Sequence, residues 1–301
     1  MVLGAPVGSD HFSQDRISIK VQEIENLLSK LGSLDDSQVE FCLLRSCFGI
    51  SKFGFILRTC NPLVNANVFA DFDDAQCRAL STRVGASIST SDPRWVLSSL
   101  PVSLGGLGLR SAAIHAPAAF VASNLQCASI VEKLVRVSNL RIDISQAKSL
   151  LSNATANATT PLPGPLNSDT PQRLLSRRVD EARLFVLESM EADERLRLIP
   201  SWGLLERCAL SISEIQKTEF VMVLKYRLGL PVFPDESVCS FCARASDVYG
   251  DHAISACHTS GGIIRRHNLI RDAIFDTAYA ALLHPKRKNG ICWMTTLGPV
   301  T

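Results

Sequence analysis

Residues 239–267 read CSFCARASDVYGDHAISACHTSGGIIRRH. Cys239 and Cys242 form a Cys-x-x-Cys pair, His252 follows after nine intervening residues, and Cys257 after four more. Two thiols three positions apart can grip one ion from a single tight turn. Two further ligands then close a tetrahedron, the geometry that Zn²⁺ takes in structural sites. Such a segment folds around an ion instead of an ordinary hydrophobic core. The spacing therefore predicts structural Zn²⁺ on Cys239, Cys242, His252 and Cys257, with no position left open for water. His258 and His267 are alternative donors for the fourth place. Gly250 permits a tight turn before the histidine, and Asp251 is placed to orient a ligand as an acceptor.

The rest of the chain has the composition of a globular, helix-rich protein. Of 301 residues, 46% are hydrophobic and 20% charged, which is enough apolar content for two domains. Leu, Ala, Ile and Val carry most of it and aromatic residues are few, so the expected class is mainly α. Neither a secretory signal pattern nor an uninterrupted apolar run of about 18–20 residues is visible. The remaining cysteines (Cys42, Cys47, Cys60, Cys77, Cys127, Cys208 and Cys292) stand mostly alone, and most of them sit in apolar patterns and read as small buried hydrophobes. A net charge of +2 does not by itself require a polyanionic partner.

Apolar residues at three- and four-residue spacing predict a helix over 12–31, stopped by Gly32. Asp35 and Asp36 can cap the next one, which runs to about residue 50. A third helix fits 67–85, a short one follows Ser91-Asp92-Pro93, and an Ala-rich one fits 110–134. Residues 153–171, NATANATTPLPGPLNSDTP, contain almost no large apolar side chain and read as a linker. The expected organisation is a helical domain over 1–152, the linker over 153–171 and a helical connector over 172–230. The metal module with a following helix then takes 231–285, and an irregular tail takes 286–301.

Other motifs carry less chemistry. Phe72-Asp73-Asp74 has the residue types of a polymerase metal turn, but it sits in a helical pattern, where its acids are expected to favour the helix dipole from the first turn. Gly105, Gly106 and Gly108 lack the residues of a phosphate loop and predict a backbone bend. Basic residues fall in small groups, among them Arg177, Arg178 and Arg183, interleaved with acids and read as a solvated face. Lys286, Arg287 and Lys288 form another group. No nucleophile–base arrangement stands out, so no catalytic residue is assigned.

Several segments, taken in order, resemble one family. They are VLGAPVGSD, LLRSCFGISKFGFILRT, FADFDDAQCRAL, SLPVSLGGLGLRSAAIHAPAAFVAS, and finally the Cys-x-x-Cys stretch with YGDHAISAC and RRHNLIRDAI. The chain resembles the polyproteins of non-LTR retrotransposon reverse transcriptases over roughly residues 1–135 and 225–283. The resemblance implies a helical thumb-like domain followed by a helical region with a small zinc-binding module. It places the catalytic palm upstream and the endonuclease carboxylates downstream, so the chain is expected to be a non-catalytic C-terminal fragment. The implied partner is RNA or DNA, held weakly and without sequence preference by Lys52, Arg58, Arg110, Arg265 and Arg266. The rival expectation is a helical structural or interaction protein, or a pseudogene product, that binds no nucleic acid.

Overall fold

The computed structural model describes residues 4–34, 36–135, 143–162, 164–167, 170–189, 217–240, 242–252, 272, 286–288 and 291–293. The protein is mainly helical and divides into two compact units, Met1–Leu230 and Pro231–Thr301.

In the first unit, α1 (Asp10–Leu31) begins at Ser9, whose hydroxyl accepts from the Phe12 amide. Its buried residues Ile17, Val21, Ile24, Leu28 and Leu31 repeat at four and three positions, which gives a single apolar stripe facing α4 (Ala66–Val84). The Asp36 carboxylate caps α2 (Ser37–Ser46), accepting from Gln38 and Val39 at 3.0 Å each. A 3₁₀ turn at Ile50–Lys52 leads into α3 (Gly54–Thr59). Phe53 stands between Phe69 and Phe72 of α4, with ring centroids 6.3 and 4.3 Å away. Gly85, in the left-handed region at φ 64°, ends α4. Asp92 caps α5 (Pro93–Ser99), with Pro93 in the first turn and Trp95 fully buried.

The Gly-rich stretch is a tight turn. Gly108 donates to Leu100 and Leu109 to Ser98, so the chain folds back over the end of α5. Gly106 lies against the Leu100 carbonyl, where an added Cβ would overlap backbone atoms that cannot move aside. Gly106→Ala is therefore expected to destabilise the protein by about 1–3 kcal/mol, read as a lower midpoint in urea. Gly54→Ala, which meets open space, serves as the comparison.

After this turn comes α6 (Ala112–Val135), which packs against α3, α4, α7 (Ser145–Ala154) and α8 (Gln172–Ser189). By length and composition α6 could cross a membrane. Its apolar content is used inside the unit, where Ala116, Ala118, Ala119, Phe120, Val121 and Ala122 are buried. The last helix of the unit, α9 (Lys217–Arg227), buries Phe220 against Phe41 at 5.7 Å between centroids.

Three expectations need correction. Asp73 is not a first-turn acid of its own helix, because α4 starts at Ala66. Its buried carboxylate reaches across to the start of α6. There it accepts from the Ala112 amide at 2.6 Å, the Ala113 amide at 3.2 Å and the Ser111 hydroxyl. The dipole it serves is that of α6. Burial pushes Asp73 up to about 6, against the pull of those hydrogen bonds and of Arg183.

Residues 153–171 do not separate two compact units, since the first unit continues to Leu230. The segment is tied down by contacts that its composition conceals. Leu162 and Leu166 pack on the cluster around Phe120 and Val179. The Glu181 carboxylate accepts from the Thr160 amide at 2.8 Å and the Thr159 hydroxyl at 3.1 Å, while Arg178 donates to the Thr160 carbonyl. Burial opposes ionisation of Glu181, but these bonds, with those from the Thr160 hydroxyl and Arg177, pull it down to about 2.

The charged face of α8 is solvated only in part: Arg177 is exposed, but other members turn inward. Asp180 is buried and pairs with Arg110 at 2.9 Å and His115 at 3.3 Å. Arg183 donates to the Ser99 hydroxyl at 2.9 Å. Asp180 and Arg183, which look like part of an exposed charge run, thus form a polar junction between α5, α6 and α8.

The second unit contains two short antiparallel pairs. β1 (Ser237–Val238) pairs with β2 (Ala245–Ser246). β3 (Lys286–Lys288) pairs with β4 (Ile291–Trp293), where the sequence reading expected an irregular tail. The two residues between β3 and β4 are Asn289 and Gly290, the dipeptide that most favours a two-residue hairpin. That signal was present in the sequence and was missed. Of the helix expected near 268–283, Asp272 alone lies among the described residues, where it is helical.

Candidate metal centre

Cys239 and Cys242 sit on the connection between β1 and β2. That connection is closed by two backbone bonds, Cys239 amide to Arg244 carbonyl at 2.8 Å and Ala243 amide to Cys239 carbonyl at 2.9 Å. The turn folds the two thiols to one side. Ala243 pays for this with φ 55°, in the left-handed region, where a Cβ costs energy.

His252 arrives from the other direction. Gly250, at φ 87°, makes the sharp turn that precedes it, as its place in the sequence implied. The histidine is buried, and its Nε2 lies 3.2 Å from the Cys242 sulfur. The two sulfurs and an imidazole nitrogen all lie within 4.8 Å of one another. A tetrahedron with bonds of about 2.3 Å to sulfur and 2.0–2.1 Å to nitrogen has edges of about 3.5–3.8 Å. The donor set and its spacing therefore fit one tetrahedral ion, and Cys239, Cys242 and His252 form a group that could hold a metal.

The residue that positions this histidine is Asp247, which sequence reasoning passed over in favour of Asp251. One Asp247 oxygen accepts from the Tyr249 amide at 2.9 Å and the Asp251 amide at 3.1 Å, and the other from the His252 amide at 2.8 Å. Burial pushes this carboxyl up, but the three amides outweigh it and hold it below the usual carboxylate range. An aspartate that caps the two, four and five positions ahead gives no spacing signal of its own. Only its place before Tyr249-Gly250 hints at a turn. Asp247→Ala is expected to weaken metal affinity 10- to 100-fold without changing the ligand set, as measured by competition with a coloured chelator.

Among the described residues of 231–252, the buried ones are Ser246, Gly250 and His252. No apolar side chain is buried there, and Val238 is 70% exposed. Two-residue strands without an apolar face do not hold together by themselves.

No protein-family model, curated protein or solved structure matches this chain.

Of the other site residues, Cys257, Arg265 and Arg266 lie outside the described residues. Lys52 ends the 3₁₀ turn and is exposed, as is Arg58 on α3, whose Nε donates to Gln172 at 2.9 Å. Arg110 is drawn to Asp180 and is 24% exposed. The lone cysteines divide by environment. Cys60 and Cys77 are buried, and burial pushes the Cys77 thiol up to about 12, so both are inert core residues. Cys47 and Cys127 are exposed and Cys42 is half-buried, so fewer of the described lone cysteines are buried than the sequence reading expected.

Proposed function

We propose that this chain is a non-catalytic nucleic-acid-binding protein of the retroelement reverse-transcriptase type, carrying one structural zinc. The observation that carries the reading is the convergence of Cys239, Cys242 and His252 in a stretch with no apolar core of its own. Cys257 is the proposed fourth ligand. Zinc would fix the 237–252 fold and supply no open coordination site. Exposed Lys52 and Arg58 would contact the phosphate backbone, with Arg265 and Arg266 beside the metal loop. Phosphate contacts carry no base information, so binding is expected to be tolerant of sequence and steeply weakened by salt.

The test has two parts. Elemental analysis of purified protein should find one zinc per chain. Fluorescence anisotropy with labelled RNA and DNA should show binding at low salt that falls with added salt. Absence of zinc removes the metal part of the reading, and absence of binding at low salt removes the nucleic-acid part.

One observation favours a second reading, a helical structural or interaction protein. Arg110 is spent on Asp180 inside the first unit. If Lys52→Ala and Arg58→Ala leave binding unchanged while zinc is present, the helical unit is a scaffold and not a contact surface.

A further inference from the structure

Residues 41–70 contain no Asp or Glu, although the whole chain carries 29 acidic residues against 31 basic ones. Within this stretch the 3₁₀ turn Ile50–Lys52 runs on into α3 through Phe53. Phe53, Ile56, Leu57 and Cys60 are buried in the core, so the opposite face is turned outward. That face holds Lys52, Phe55 and Arg58, all exposed, at the three-residue spacing that keeps side chains on one side of a helix.

Phe55 is 46% exposed, and the core contacts of α3 are made by its neighbours. Arg58 gives its Nε to Gln172 at 2.9 Å, a neutral partner that leaves the positive charge uncompensated. This bond sets the first residue of α8 beside α3, and the next residue, Arg173, is exposed as well. Among the described residues no carboxylate pairs with Lys52, Arg58 or Arg173. Phe185 of α8 is equally exposed, at 50%, but Glu181 stands one turn before it and Glu188 three residues after it. An anion is repelled there and attracted at Phe55.

Resting on the nucleic-acid reading above, we propose that the outer face of α3 is a contact site for single-stranded nucleic acid, because Lys52, Phe55 and Arg58 share it. The two cations take phosphates and the phenyl ring stacks on an unpaired base. An aromatic ring within a positive surface suits single strands, since their bases are free to stack and every base has a π-face. A duplex offers its phosphates but keeps its bases stacked inside. An acidic peptide would satisfy the cations and leave the ring without a stacking partner.

The test uses the full, zinc-loaded chain, with labelled oligo(dT), oligo(U) and a duplex followed by fluorescence anisotropy. Phe55→Ala should weaken single-strand binding by roughly 5- to 150-fold and leave both the salt slope and duplex binding unchanged. Lys52→Ala with Arg58→Ala should reduce the slope of log affinity against log salt by about 1.4, at about 0.7 per lost phosphate contact on a single strand. Phe55→Trp should bind at least as tightly as the wild type, and its added emission should be quenched by oligo(dT). Phe185→Ala should bind as the wild type does. Circular dichroism melts matching the wild type show that each variant is folded.

Normal single-strand binding by the Phe55→Ala and double-cation variants would overturn the α3 site while leaving the wider reading in place. Equal losses for single strand and duplex in Phe55→Ala would overturn the stacking role. No binding by the wild type at low salt would overturn both the site and the wider reading. Polyglutamate that competes as well as oligo(dT) would overturn the proposal in favour of an acidic protein partner.

Discussion

Cys239→Ser is expected to abolish stoichiometric metal binding and to unfold the 237–252 segment of the full chain, while the helical unit melts as before. The sizes of the competing effects decide this. Structural zinc sites in small modules contribute apparent binding energies of about 10–16 kcal/mol at neutral pH. The described part of 231–252 has nothing of that order to replace it. Its strands are two residues each and it buries no apolar side chain. Losing the Cys239 thiolate leaves three of the four proposed donors, Cys242, His252 and Cys257, one short of a closed tetrahedron of protein ligands.

The helical unit rests on its own apolar core, with Phe53, Phe69, Phe72 and Trp95 fully buried. Hydrogen exchange should therefore lose protection at 237–252 alone, and chelator treatment of the wild type should give the same pattern. Cys127→Ser, on the exposed side of α6, should change stability by less than about 0.5 kcal/mol. Retained protection at 237–252 in the Cys239→Ser protein would show that the segment is held by something other than a metal.

Asp180→Ala should cost the helical unit about 3–5 kcal/mol, the usual price of removing one member of a buried charge group. The carboxylate is the counter-ion of Arg110, accepts from His115 and lies near buried Arg183. Without it two guanidinium groups remain near the α6–α8 junction with less compensation. Urea denaturation at neutral pH measures the loss. A cost below about 1 kcal/mol, the level of an exposed pair, would mean that water reaches the junction.

The same variant has a pH signature. Burial lowers the His115 pKa, and its hydrogen bond to Asp180 works in the opposite direction. A histidine with a depressed folded pKa stays neutral while the unfolded chain takes up a proton. Its effect is therefore a loss of stability as pH falls below about 6.5. Removing Asp180 depresses the pKa further and extends that loss.

Asp73 has the opposite sign. Its folded pKa of about 6 lies above the unfolded value, so its contribution is complete below about pH 4 and fades as pH rises through about 6. Asp73 feels Arg183 but draws nothing from Asp180. The difference between wild type and Asp180→Ala therefore isolates the histidine. A gap that widens as pH falls from 7 is the expected signature of the His115–Asp180 coupling, and one that narrows would contradict it.

Much of the helical architecture was legible in the order of residues. Helix stops and starts follow from local chemistry. The left-handed C-cap at Gly85 and the carboxylate caps at Asp36 and Asp92 act within one turn of where they stand. The apolar stripe of α1 likewise announces itself by period. The metal ligands were legible for a related reason, because Cys-x-x-Cys and a nearby histidine form a short-range pattern.

What could not be read are pairings between distant residues. Nothing in the local sequence of Asp73 says that it caps a helix beginning 39 residues later. The string RRVDEAR gives the same charge pattern whether it faces water or the α6 junction. The 153–171 stretch looked like a linker because its anchoring depends on two leucines and on Glu181, which lies beyond it in the chain.

The sequence by itself determined most of the helical segments to within a few residues of their ends, though not α3 or α7, and it marked Cys239, Cys242 and His252 as a group that could hold a metal. Those properties depend on neighbours within a turn or two. The tertiary structure decided that His252 is held by Asp247 and that, among the described residues of 231–252, no apolar side chain is buried. It also decided that α6 is capped by Asp73 and that Asp180 and Arg183, two of the apparent surface charges of α8, belong to an internal junction. A carboxylate's role is set by which donors surround it in space, and burial, which fixes both its partners and its ionisation, exists only once the chain has packed.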